Sequence, residues 1–174
     1  MTEPMGKPDR ITLHWTAGSY TQTFNDYHGC IRGDGRRVAT RPLTIKGAHT
    51  WGRNSGNIGE SLCAMAKGCP VKPEQIETMA ATVAEHCHRY GILVRGVVKL
   101  PAMRVEGARL VAVPNKWIFA PTVADHAWYA KADGYYPDRW DIGDLYQEVI
   151  EKAGWYHAEI TAGRRGYQHT GPRR

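Results

Sequence analysis

Residues 73–90 hold the longest single periodicity in this 174-residue chain. Ile76, Met79, Ala80, Val83, Ala84 and Cys87 recur at three- and four-residue spacings, so a helix collects them on one side. Pro73 suits the first helical position, where its fixed φ helps and its missing N–H costs nothing. Gly91 accepts the left-handed conformation that ends a helix. A long helix with one apolar stripe needs a surface to cover. Residues 10–16 begin to supply it: Ile11, Leu13 and Trp15 alternate with Thr12, His14 and Thr16, which is the period of a strand.

More strands follow. Residues 27–32 read as extended and end at the turn Gly33-Asp34-Gly35, so a short strand over residues 38–41 should complete a hairpin. Residues 46–59 are rich in Gly and Asn and read as a loop. Residues 58–65 read as a strand buried on both faces. A second helix is expected over residues 141–153, with Ile142, Leu145, Tyr146, Val149 and Ile150 on one stripe. Strands followed by helices packed on them give the α/β class: one mixed central β-sheet flanked by helices. Residues 95–121 are apolar in patches, are interrupted by Pro101 and Pro114, and receive no element.

The length suits a single domain, read as residues 1–160 with a basic tail over residues 161–174. The net charge is +6, but residues 163–174 contribute four arginines and no acid, leaving nineteen bases against seventeen acids elsewhere. The body is nearly balanced. A charge confined to a tail suits anionic envelope polymers better than specific nucleic acid, which calls for a basic stripe or helix. No apolar run reaches the length of a membrane span, and residues 1–10 lack the apolar stretch of a secretory leader. The expectation is a monomer made in the cytoplasm with mostly reduced thiols, the pairing of Cys63 with Cys69 being left open.

Of eight histidines, His86 and His88 lie off the apolar stripe of the long helix and are expected to face solvent. His157 and His169 fall at or near the tail. That leaves His14, His28, His49 and His126. A histidine on a strand face is more often a satisfied polar residue than a ligand, so position alone does not select among them.

Company does. Five segments occur in order: Leu13-His14-Trp15-Thr16-Ala17-Gly18, Tyr27-His28-Gly29, Gly47-Ala48-His49-Thr50-Trp51-Gly52-Arg53-Asn54 with Asn57-Ile58-Gly59 after it, Ala124-Asp125-His126, and Arg139-Trp140-Asp141-Ile142-Gly143. A helix containing Gln75 lies among them. Together they resemble the type-2 N-acetylmuramoyl-L-alanine amidases, a family that includes many phage endolysins and is related to the peptidoglycan-recognition proteins. The resemblance covers residues 11–145 and implies that family's single-domain fold.

It also implies a Zn2+ ion held by His14, His126 and Asp141. Two neutral imidazoles and one carboxylate leave a fourth tetrahedral position for water. Asp138 and Asp133 are nearby alternatives, and Asp141 alone would also read as the N-cap of the following helix. The resemblance further implies that Tyr27 assists catalysis. Arg139, where some relatives have lysine, would stabilise an oxyanion without serving as a proton donor. His49, Trp51, Arg53 and Asn54 become a substrate-facing loop. The implied reaction is hydrolysis of the amide between N-acetylmuramic acid and L-alanine in peptidoglycan. The implied setting is a phage lysis enzyme reaching the wall through a partner's membrane lesions. The alternative is a module of the same fold that binds peptidoglycan without cutting it.

Overall fold

The computed structural model describes residues 3–135 and 142–171. In chain order they form β1 (Arg10–Trp15), β2 (Gly29–Ile31), β3 (Arg37–Ala39), β4 (Asn57–Leu62), α1 (Pro73–Tyr90), β5 (Val97–Glu106), β6 (Arg109–Pro121), β7 (Val123–Asp125), α2 (His126–Asp133) and α3 (Leu145–Thr161). Five strands make one mixed sheet in the order β3-β2-β4-β1-β7, with only β3 antiparallel to its neighbour. The expected α/β class is therefore the observed one.

Alternation along the strands divides the sheet into two unlike faces. Ile11, Leu13, Ile31, Ile58, Leu62 and Val123 point toward α1 and α3, where Ile76, Met79, Val83, Val149 and Ile150 meet them in the main core. The other face presents Thr12, His14, Asn57 and Ser61. Both faces are buried, as suits parallel strands between layers. Gln75 locks the start of α1 to the sheet. Its side-chain oxygen accepts from the Lys72 amide, and its amide nitrogen donates to the carbonyls of Ile31 and Cys63.

The helix over Pro73–Tyr90 matches its sequence reading, including Gly91 in the left-handed region at φ 69°. The second long helix begins later and runs further than expected. It covers Leu145–Thr161, with Asp144 rather than Asp141 at its N-terminal boundary. Residues 95–121, unassigned from sequence, form the long β5–β6 hairpin. Its register breaks between Pro101 and Met103, a bulge at one of the two prolines that obscured the strand period. The hairpin packs on α2 through Leu100, Ala120 and Tyr129.

Two further expectations are corrected. His86 is fully buried, not solvent-facing: its Nε2 lies 2.9 Å from Glu60 on β4, while Arg37 engages the same carboxylate. Burial is the largest influence on His86 and keeps its pKa below the ordinary histidine value despite that carboxylate. His88 is half-buried, its Nδ1 2.8 Å from the Tyr167 hydroxyl. The four cysteines are free thiols, with Cys63 beside Cys30.

Arg53 and Asp133 form a buried two-pronged ion pair, with nitrogen–oxygen distances of 2.5 Å on both prongs. Arg53 also donates to the carbonyl of Pro101, so one guanidinium ties the β3–β4 loop to α2 and to the hairpin. The tail is tied down too. The carboxylate of Glu85 on α1 accepts from the backbone amides of Gln168, His169 and Thr170 at 2.7–3.2 Å. Arg89 donates to the Thr170 and Gly171 carbonyls, and Arg37 to that of His169. Residues 167–171 are thus a strap across α1.

Two stability effects follow. Arg53→Ala should destabilise the fold by about 3–5 kcal/mol, because Asp133 is then buried without a counter-charge. The double change Arg53→Met/Asp133→Leu should recover most of the loss. Denaturant unfolding of the three variants tests this, and a double variant as unstable as the single one contradicts it. Ending the chain at residue 166 should cost about 2–4 kcal/mol, since charged groups lose their partners. Glu85→Ala should cost little more in the shortened chain, both changes removing the same bonds. An unchanged melting temperature after truncation would show that the strap contributes nothing.

Candidate active site

The register of two parallel strands builds the site. Leu13 on β1 lies beside Asp125 on β7, so the next residues, His14 and His126, come abreast where the strands end. Their ring centres are 5.1 Å apart, close to the spacing of neighbouring strands. The carboxyl ends of parallel strands are where α/β folds characteristically open a crevice. Here a cavity of about 490 Å3 opens over His14, Tyr27, His49, Trp51, Asn54 and His126, among others. Tyr27, just before β2, sets its ring 5.1 Å from that of His14.

His28, the neighbour of Tyr27, turns away from this cavity. Its Nε2 donates to the Ile45 carbonyl and its Nδ1 accepts from the Gly59 amide, so both nitrogens serve the backbone. Burial holds its pKa down, which suits a neutral ring with one donor and one acceptor. Of the four histidines left open by sequence, His28 is structural.

His49 lies flat across the sheet. A Cβ at Gly59 would come within 2.4 Å of its ring and one at Gly47 within 2.5 Å, which explains the glycines on either side of this loop. Its Nε2 is 3.2 Å from the Asn57 carbonyl, which can only accept, so the proton sits on Nε2. Burial, with His28, His126 and Arg10 close by, lowers the pKa of His49 to about 3, so the ring is neutral and Nδ1 holds a lone pair. That Nδ1 is 3.0 Å from the Thr50 hydroxyl, which can turn its proton elsewhere, and 3.2 Å from Nε2 of His14. Two lone pairs would repel at this distance, so His14 donates from Nε2 and its own lone pair is placed on Nδ1. A backbone carbonyl thereby sets the tautomer of His14 through His49. Burial, with His49 and His126 close by, also drives the His14 pKa well below the ordinary value, leaving that lone pair unprotonated near neutral pH.

The loop that holds His49 is divided in its roles. Trp51 is exposed at the rim, packed edge-on against Tyr135 at 5.3 Å. The Asn54 side-chain oxygen accepts from the amides of His49 and Thr50, so Asn54 shapes the loop as well as lining the cavity. Arg53, expected to face substrate, is instead consumed by Asp133, and the same pair accounts for Asp133 without a ligand role. Tyr135, which the sequence did not single out, has its hydroxyl 3.1 Å from Nε2 of His126. Nothing in its sequence surroundings marks it.

Arg139, Asp138 and Asp141 lie outside the described residues. The N-cap of α3 is Asp144. Among the described residues no three His, Cys, Asp or Glu side chains are grouped to hold a metal ion. The donor chemistry of His14 still fits one: a neutral, oriented imidazole at the floor of a cleft, beside a second imidazole.

The architecture has solved relatives. The N-acetylmuramoyl-L-alanine amidase LysC from Clostridium intestinale URNW aligns with a TM-score of 0.57 at 16% identity, over 88% of this chain and 90% of its own. The Ph2119 endolysin from the Thermus scotoductus MAT2119 bacteriophage gives 0.56 at 16% identity, over 87% and 89%. The Staphylococcus aureus hydrolase AmiA, solved with its ligand, gives 0.55 at 16% identity, over 94% and 79%. At these identities the likeness is one of fold. No curated protein matches the chain by sequence. The sequence model of the N-acetylmuramoyl-L-alanine amidases, however, matches residues 4–133 and so takes in β1, the His49 loop and His126. By that match across most of its length, the chain belongs to the N-acetylmuramoyl-L-alanine amidase family.

Proposed function

We propose that this protein is a zinc-dependent hydrolase that cleaves the amide between N-acetylmuramic acid and L-alanine of the peptidoglycan stem. The observation that carries the reading is the convergence of His14 and His126 at the floor of the cleft, with Tyr27 packed against His14. His14 and His126 would hold the ion, with a third donor from the segment after Tyr135. Asp138 and Asp141 follow Tyr135 by three and six residues, and Asp141 is the preferred donor. The chemistry such an ion supplies is Lewis acidity toward the scissile carbonyl and toward a water at neutral pH.

The chain's own groups do the rest. His49 keeps the His14 ring in one orientation and one tautomer, so the donor atom needs no rearrangement when a cation arrives. Tyr27 brings a phenol to the same wall of the cleft, where it can donate a hydrogen bond to the carbonyl oxygen as charge develops on it. Arg139 is proposed for the same oxyanion. Trp51 at the rim offers a flat apolar surface to the polymer, and Asn54 holds the loop that presents it. The biological role proposed is lysis, the role named for the Thermus phage relative.

Incubated with purified cell walls, the protein should release new alanine amino termini without new reducing sugar ends. A chelator should stop the release and added zinc restore it. Reducing ends would identify a glycosidase, and binding without any release would identify a recognition module of this fold.

Metal analysis of variants gives an independent readout. His14→Ala, His126→Ala and Asp141→Ala should each lose the ion. His49→Ala should keep the donors but weaken zinc affinity by about 10–100-fold, the usual cost of losing a group that orients a ligand. Full zinc retention in Asp141→Ala would transfer the third position to Asp138.

A further inference from the structure

The β5–β6 hairpin has an outer face that the cleft does not use. Its inner side packs on α2 through Val98, Leu100, Ile118 and Ala120. Alternation turns Val97, Lys99, Trp117 and Phe119 the other way. Lys99 stands directly across the ladder from Phe119, and its ammonium lies 4.7 Å from the centre of the Trp117 ring. Trp117 is 55% exposed, Phe119 65% and Val97 68%, with Leu93 at the foot of the hairpin at 66%. Among the described residues eight large apolar side chains are exposed, and five of them fall within residues 93–121. Apolar side chains gathered in this way mark a surface that something covers.

The charge of the segment selects the cover. Residues 93–121 contain Arg95, Lys99, Arg104, Arg109 and Lys116 against one acid, Glu106, which Arg104 already engages. A second copy of the chain would bring like charge to like. A neutral sugar platform needs carboxylates or amides beside its rings to bind hydroxyls; across the regular ladder the neighbours of Trp117 and Phe119 on this face are Lys99, Val97, Pro101 and Pro121, and the segment's one amide side chain, Asn115, falls in the irregular stretch before Trp117. Aromatic rings with a lysine between them, on a segment of net positive charge, match an anionic bilayer, where rings settle at the headgroup level and lysines meet phosphates.

We propose that the outer face of the β5–β6 hairpin docks on an anionic lipid surface. The protein rests on that surface and does not cross it: among the described residues no helix is long and apolar enough to span a membrane. The proposal is independent of the amidase reading, since none of these side chains lines the cleft.

Co-sedimentation of the full chain with vesicles tests it. The protein should pellet with vesicles of mixed phosphatidylglycerol and phosphatidylcholine, much less with phosphatidylcholine alone, and less again as salt is raised. The double change Trp117→Ser/Phe119→Ser should weaken the anionic binding by roughly tenfold or more. Lys99→Glu should weaken it by about tenfold with both rings kept, so the test survives if the double variant misfolds. Melting curves should be unchanged in any variant that is compared. Equal vesicle binding by the protein and its variants would overturn the proposal. So would variants that lose binding to purified walls but not to vesicles, or that abolish a concentration-dependent dimer, since the face would then belong to glycan or to a second copy.

Discussion

The parallel pairing of β1 with β7 is the constraint on which the rest of this molecule depends. It joins strands more than a hundred residues apart and fixes them in register at Ile11–Val123, Thr12–Ala124 and Leu13–Asp125. One step further along, backbone geometry leaves His14 and His126 side by side. No special packing is needed to bring the rings together, because strand spacing sets their separation. A shift of one residue in β1 would turn His14 into the apolar layer beneath α1 and α3 and bring Leu13 or Trp15 to the cleft. The apolar residues Ile11 and Leu13, fully buried in the main core, therefore protect the site as much as the histidines form it.

Around that pair the structure spends its polar groups on orientation. His49 is fixed by one carbonyl and wedged between two glycines, and it in turn fixes His14. Asn54 closes the loop under His49, and Arg53 clamps the same loop to Asp133 on α2. Each of these residues lies within an eight-residue motif that looks, on paper, like a set of substrate contacts. Trp51 is its exposed side chain, and His49 and Asn54 also reach the cavity wall. The motif is a rigid frame for one imidazole as well as a wall of the cavity, and Arg53 alone of its four expected contacts is committed elsewhere.

Local patterns in the sequence announced the elements they build. The stripe from Ile76 to Cys87 gave α1 its full extent, and the alternation around Ile11 and Leu13 gave β1. What stayed hidden was everything set by contacts between distant segments. His86 sits off the apolar stripe, so helical periodicity assigns it to water; it is buried because Glu60 and Arg37 meet it from β4 and β3. Arg53 reads as a substrate-facing arginine until Asp133 arrives from eighty residues away. The β5–β6 hairpin was illegible because a bulge beside Pro101 breaks the two-residue period. The pairing of His14 with His126 was legible only through the family resemblance, since no periodicity relates β1 to β7.

The two faces of β4 show why the cleft histidines are suited to a cation. Glu60 points to the rear, where Arg37 and His86 hold its pKa at about 2. One carboxylate and one guanidinium already cancel there, so a proton on His86 would bury an uncompensated charge, and the ring stays neutral. On the front face the residue abreast of His14 is Ser61, not Glu60. A carboxylate fixed there by the sheet would draw a proton onto the imidazoles in the absence of a cation, and that proton would occupy the lone pairs a cation needs. Alternation along a single strand thus keeps the acid behind the sheet and leaves the lone pairs in front of it. The separation holds only while β4 keeps its register with β1, the same register that places His14 at the floor of the cleft.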